Sequence, residues 1–477
     1  MILAALDLMG SHQAAEDGFD QWVSLPMDPN SKGSKGHHEW ALPDRPNGLF
    51  TEGHGCLTHA VGPPGVGGHM DGVHAFGPGS IGWALTEHYW LTGDTGWLRA
   101  SAPRIKANAE WMLRQRRVVS GLVPGGDRLW CKGLQPALQV TPDSGGLWMQ
   151  FYECEGYYWA AVSRLAATLS VIDPAAGAKL QAEAEAYGRD LRAAVDRSIA
   201  LSPVVPVRDG TFHSVIPFAC CVRGLGTGAW GWRRDGSGEH VGPLYWETVQ
   251  SAAALISPAR LLSPDDVRVQ GYLDVLEDRL LLENPRVGQR DWFLAGWQYQ
   301  AGLERTSNLY LAGDDIPCFL RSLLNGYAID ILPDQGYVFN EHATHGPPDK
   351  IFEEAAFLER FRGLLVWEDG SNLWLARATP RAWLEQGRKI SVKNAPTHFG
   401  TVDFAIVSDA DHGRITATLT MPSRPAARQV WLRLRHPKIT PIRGVTVNGH
   451  DYLDFDPGRE AVKLHDLAGN VRVEVRY

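Results

Sequence analysis

Phe357-Leu358-Glu359-Arg360-Phe361-Arg362-Gly363-Leu364-Leu365-Val366, followed by Leu373-Trp374-Leu375-Ala376-Arg377-Ala378-Thr379-Pro380-Arg381-Ala382-Trp383-Leu384, is where the chain changes its period. Up to about Asp330 apolar residues recur at helical spacing, and a helix over 350–362 bridges to the region that follows. Beyond it apolar and polar residues alternate over 372–376, 401–408, 414–421, 430–436 and 471–477, the two-residue period of half-buried strands. Glu368-Asp369-Gly370, Asp411-His412-Gly413 and Asn448-Gly449 supply the turns between them. The pattern predicts a helical domain over 1–363 and a β-sandwich over 364–477.

Upstream of the junction the helical segments pair off: 80–91 with 98–117, 147–169 with 175–199, 245–255 with 264–282, and 296–311 with 314–330. Asp94-Thr95, Ser263-Pro264-Asp265-Asp266 and Gly313-Asp314-Asp315 read as helix starts, each with a capping side chain in place. Links within a pair are short. Between pairs the chain runs through 53–79, 118–146, 203–243, 284–295 and 333–349, stretches rich in Gly, Pro, His, Asp and Trp. Loops of that length are uncommon unless they carry function. A ring of hairpins would gather them at one end, as the rim of a cleft.

A chain of 477 residues, 44% hydrophobic, is long enough for two cores. Its formal charge of −8 argues against nucleic acid or an anionic membrane as main partner, since both select clustered positive charge. Eighteen tryptophans suit a carbohydrate partner, because sugar rings present apolar faces that stack on indole, although large helical domains also use Trp as core filler. The six cysteines, with Cys220 and Cys221 adjacent and no C-x-x-C pair, read as reduced and buried rather than as a disulfide framework or a zinc site. No cofactor is expected. The apolar run from Met1 to Met9 lacks the features of a signal peptide or a membrane span and reads as a helix. Location is left open: cytoplasmic, or periplasmic or secreted if an upstream portion exists.

The junction residues quoted above, with Ala395-Pro396-Thr397-His398-Phe399-Gly400, Leu432-Arg433-Leu434-Arg435-His436-Pro437 and Val445-Thr446-Val447-Asn448-Gly449, resemble the C-terminal part of bacterial six-hairpin glycosidases related to α-L-rhamnosidases. Thr86-Glu87-His88-Tyr89-Trp90-Leu91-Thr92-Gly93-Asp94 and Lys132-Gly133-Leu134-Gln135-Pro136 extend the likeness into the helical region. The resemblance implies an (α/α)6 toroid of helical hairpins followed by a C-terminal β-sandwich, hydrolysis of a glycosidic bond, and a missing N-terminal β-rich portion. The acid-rich, Arg-containing motif of true α-L-rhamnosidases has no counterpart here, so the substrate does not carry over.

Glycoside hydrolysis needs two carboxyl groups across the scissile bond, one protonated and one ionised. Location selects among the acids. Glu341, in Phe339-Asn340-Glu341-His342, has an apolar neighbour that would raise its pKa and suit it as the acid. Glu247, at a helix start after a glycine-rich loop, is favoured in its ionised form by the helix dipole, and suits a base or nucleophile. Asp143 precedes a helix walled by aromatics, and fits an N-cap equally well. Glu153 and Glu155 lie within that helix, on opposite faces, so at most one points inward. Asp71, His69 and His74 in a glycine-flanked loop, and Trp246, Asp291, Trp292 and Gln298 with their mixture of rings and polar groups, are the candidates for holding the sugar. Two rivals stand beside the hydrolase: a polysaccharide lyase on the same toroid, using Tyr or residues such as His69, His74, His342 and His345, and a carbohydrate-binding protein without catalysis.

Overall fold

The computed structural model describes residues 2–23, 77–117, 131–135, 150–207, 209–221, 252–280, 305–342, 345–348, 351–424, 427 and 429–477. Its N-terminal part is helical and its C-terminal part is built of sheets. Helices α1 (Ile2–Leu8) and α2 (His12–Val23) form one hairpin, α3 (Gly77–Thr92) and α4 (Thr95–Arg116) a second, and α5 (Tyr152–Leu169) and α6 (Pro174–Leu201) a third. A ribbon of β1 (Val205–Pro206) and β2 (Phe212–His213) follows, then a 3-10 turn at Ala252–Leu255 and α7 (Val267–Leu280). Helices α8 (Thr306–Ala312) and α9 (Ile316–Asp330) make another pair, and α10 (Ile351–Leu365) leads into the sheets.

Local chemistry accounts for the hairpins. Asp94 caps α4 by accepting from the Trp97 amide at 2.8 Å, Asp173 caps α6 through Ala176, and Asp315 caps α9 through Cys318. Prolines stand in the first turns of α6 and α9, where no amide donor is missed. Helix α3 is buried on nearly every side, and the polar Thr86, Glu87 and His88 are buried with its apolar residues. It lies parallel to α5: Gly79 faces Tyr157 and Tyr158, Gly82 faces Ala161, Glu87 bonds Arg164, and Trp90 bonds Thr168. Gly79 and Gly82 are what permit that approach, since a Cβ on Gly79 would stand 2.7 Å from the Tyr158 amide nitrogen. Helix α6 runs antiparallel to α5, with Tyr152 on Ser198 and Trp159 on the Ala184 carbonyl. Helix α10 lies against α1, α1 against α3, and α5 against the 3-10 turn. Arg305 and Asn308, at the start of α8, reach Glu359 of α10.

Strands β6 (Val366–Asp369), β7 (Asn372–Leu375), β8 (Lys389–Ala395), β9 (Val402–Asp409), β10 (Arg414–Thr420), β11 (Gln429–Arg433), β12 (Gly444–Val447), β13 (His450–Tyr452), β14 (Phe455–Asp456), β15 (Ala461–Leu464) and β16 (Asn470–Arg476) make two sheets. One is six-stranded and antiparallel, in the order β13-β12-β16-β10-β9-β8. The other, β14-β15-β11-β7-β6, is antiparallel except where β11 pairs with β7. Val402, Phe404 and Ile406 of one sheet and Leu373, Leu375, Leu432 and Val462 of the other share one apolar cluster, separate from that of the helices.

Three expectations are corrected. The helix expected from 147 begins at Tyr152; Phe151 bridges to Ala219 as extended chain, and its neighbours 147–149 lie outside the described residues. Ser263 to Asp266 form a turn rather than a helix start, with Asp266 accepting from the Arg268 amide ahead of α7. The segment 333–349, expected as loop, contains β4 (Val338–His342) and β5 (His345–Pro348), which form a small antiparallel sheet with β3 (Ile331–Leu332) just before it. Val338 and Phe339 pair with Leu332 and Ile331 because Gly336, at φ 82, turns the chain back.

Candidate active site

Helix α5 begins on a platform. The Tyr152 amide donates to the Phe218 carbonyl, and the Gln150 side chain bonds both the amide and the carbonyl of Cys131. From this base the first turn buries Glu153, 3% exposed, within electrostatic reach of Arg305. Burial raises its carboxyl from the ordinary 4.5 to about 8, against the opposing pull of Arg305. Its Oε2 has no hydrogen-bond partner among the described residues. Glu153 is therefore a carboxylic acid at neutral pH, with a proton to give.

Four residues on, one helical turn along the same face, the Tyr157 hydroxyl accepts from Arg305 Nη2 at 2.7 Å. Arg305 Nη1 chelates both oxygens of Glu359, at 3.0 and 2.9 Å, and Asn308 donates to the same carboxylate at 3.3 Å. These contacts fix a cation between α5, α8 and α10. Burial pushes the Tyr157 hydroxyl up to about 12, which removes it as a base near neutrality.

Glu155 answers the question of faces. It points the other way, accepting from the Tyr187 hydroxyl at 2.5 Å and the Gln135 amide at 3.0 Å. Burial raises its carboxyl to about 8 as well, but its oxygens are occupied by α6 and by Gln135, so it serves as a tie between segments.

Farther along α5, Arg164 donates to Glu87 Oε1 at 2.6 Å while His398 meets Glu87 Oε2 at 2.7 Å. Burial alone would raise Glu87; Arg164 and His398 overcome it and hold the carboxyl well below the usual range. This cluster lines a cavity of about 810 Å³ between the helices and the sheets, together with Trp83, Glu359 and Arg362. Arg362 chelates Glu368 at 2.5 and 2.7 Å and also bonds the Pro396 carbonyl, and Arg433 clasps Asp314 twice at 2.7 Å. These ion pairs and hydrogen bonds fasten the helical part to the sheets.

Of the predicted site residues, the backbone of Glu341 is described. It stands in β4 at a register shift between Asn340 and His342, not in a loop. His342 pairs with His345 across that ribbon. Phe339 is buried against Tyr327 and Phe357. Glu247, Asp143, Asp71, His69, His74, Trp246, Asp291, Trp292 and Gln298 lie outside the described residues. Sequence reasoning does not single out the Glu153–Arg305–Tyr157–Glu359 group. One signal is there: an acid in the first turn of a helix whose neighbours, Tyr152, Cys154, Tyr157 and Tyr158, are all of core type.

No protein-family model matches the sequence, and no curated protein matches it. Among solved structures the chain is similar to glycosidases. One, a single-residue variant of a glycosidase, superposes with a TM-score of 0.48 at 13% identity over 76% of this chain and 85% of that one. A second, a glycosidase variant in complex with glucose, gives 0.48 at 12% identity over the same shares. A GH127 beta-L-arabinofuranosidase from Geobacillus Stearothermophilus T6 gives 0.32 at 12% identity over all of this chain and 70% of that one. Similarities of this order fix neither a family nor a substrate.

Proposed function

We propose that the chain is a glycoside hydrolase in which Glu153 is the general acid and one of Glu341, Glu247 and Asp143 is the base or nucleophile. The observation that carries the proposal is the state of Glu153 in the first turn of α5: buried, its carboxyl raised to about 8, with one oxygen unpartnered among the described residues. A glycosidase needs such a carboxyl to protonate the leaving oxygen. The parallel packing of α3 and α5 and the succession α10, α1, α3, α5 support an (α/α)6 toroid over 1–363. The two sheets around one apolar cluster support a β-sandwich over 364–477. Asp71, His69, His74, Trp246, Asp291, Trp292 and Gln298 would then hold a carbohydrate at the rim. The raised Tyr157 does not suit the tyrosinate base of a tyrosine-dependent lyase.

The test is a panel of aryl glycosides and soluble polysaccharides. On any substrate turned over, Glu153→Gln should lower kcat about 10²- to 10⁴-fold, with much smaller losses on substrates whose leaving group needs no proton. Equal losses on good and poor leaving groups would remove Glu153 from the role of acid.

A further inference from the structure

Three thiols gather behind the platform of α5. Cys131, Cys220 and Cys221 are all buried, and Cys131 Sγ lies 3.6 Å from Cys221 Sγ. Gln150 holds the segments face to face: its side chain bonds the Cys131 amide at 2.8 Å and the Cys131 carbonyl at 3.1 Å, and its own carbonyl accepts from the Cys220 amide at 2.9 Å. Ser198 Oγ fixes the other side, accepting from the Cys221 amide at 2.9 Å and from the Tyr152 hydroxyl at 2.8 Å. Cys221 keeps a left-handed backbone, φ 57, which non-glycine residues adopt only when their surroundings impose it. Bonding by the thiols of Cys220 and Cys221, together with nearby Arg197, brings Cys131 down to about 7 despite its burial. Burial pushes Cys220 and Cys221 up. Two thiols 3.6 Å apart, one of them with a lowered pKa, are the arrangement of an attacking and a resolving cysteine.

We propose that Cys131 and Cys221 are a hydroperoxide-reactive pair that closes to a disulfide. The Cys131 thiolate attacks the outer oxygen of a hydroperoxide, breaking the O–O bond; the alkoxide or hydroxide leaves and takes up a proton, and Cys131 becomes a sulfenic acid. The Cys221 sulfur then attacks the Cys131 sulfur, its thiol proton going with the departing hydroxyl as water. Two thiols and one hydroperoxide give one disulfide, one alcohol (or water) and one water. The sulfurs must approach from 3.6 Å to about 2.05 Å, and Gln150 holds the backbones of Cys131 and Cys220 beside each other. The proposal is independent of the hydrolase reading.

The full chain is treated with hydrogen peroxide at pH 7, its remaining thiols are alkylated, and the digest is analysed by mass spectrometry. The expected product is a peptide joining Cys131 to Cys221, lighter by two hydrogens than the reduced pair, formed while buried Cys154 stays reduced. In Cys221→Ser, Cys131 should accumulate as a sulfenic acid that dimedone traps. In the untreated protein, alkylation of Cys131 should level off by pH 8, whereas an ordinary thiol still climbs roughly tenfold per pH unit below its pKa. Cys131 remaining reduced as long as Cys154, or a bridge formed by Cys220 in place of Cys221, would overturn the pairing. The wild-type bridge needs no variant to fold, so it decides the matter alone.

Discussion

Replacing Glu153 by glutamine tests whether the buried carboxyl is protonated, before any substrate is known. In the folded protein it titrates near 8, and in the unfolded chain near 4.5. Below 4.5 both states hold the proton and the carboxyl carries no ionisation penalty. Between the two values the folded state binds about one proton more than the unfolded, so stability falls as pH rises, by about 1.4 kcal/mol per pH unit. The interval spans about 3.5 pH units and amounts to roughly 5 kcal/mol between full protonation and full ionisation. Glutamine has nearly the same shape and no proton to lose. Urea unfolding at pH 5, 6, 7 and 8 should therefore show the variant gaining on the wild type by about 1.4 kcal/mol per unit. Glu155→Gln should show a similar slope on top of a constant loss, because the Tyr187 hydroxyl and Gln135 amide bonds are disturbed. A difference between wild type and Glu153→Gln that stays flat with pH would mean that the native carboxyl is ionised, and a general acid at that position would fall with it.

Arg305→Met should raise the titration of Glu153 further, since Arg305 is what opposes burial there; in a working assay the basic limb of the kcat/KM profile should move up from near 8. Gly79→Ala should cost about 3 kcal/mol or more, read by thermal melting, because the new methyl would stand 2.7 Å from backbone that cannot yield without parting α3 from α5. Glu87→Gln should cost about 3 kcal/mol at pH 7 by unpairing Arg164 and His398. That cost should shrink as the pH falls below the usual carboxylate range, since the wild type, with its depressed carboxyl, loses the same stabilisation in acid.

The architecture was legible wherever one element's own residues decide it. The alternation in Val402–Asp409 and Arg414–Thr420 places every second side chain in the core, and both strands appear within a residue of their expected bounds. Asp94 and Asp315 cap helices as their positions suggested. Reading failed where a distant partner decides. Val338–His342 is a strand because Ile331–Leu332 lies beside it and Gly336 makes the bend, and a window of polar, proline-rich sequence does not show a pairing. Tyr152 begins a helix where it does because Phe151 is held by Ala219, 68 residues away in sequence.

The candidate acid was hidden for a related reason. Glu153 and Glu155 are two acids in one helical turn, with the same raised carboxyl and nearly the same burial. What separates them is the company each meets: Glu155 finds a hydroxyl and an amide that occupy its oxygens, and Glu153 finds a guanidinium already engaged by Tyr157 and Glu359. Arg305 pulls the Glu153 carboxyl down only part of the way, so burial keeps the proton on and leaves it able to donate. Sequence spacing shows that the two face apart. It does not show which face comes under the charge of Arg305, 152 residues later, and the proposed role of the carboxyl depends on that placement.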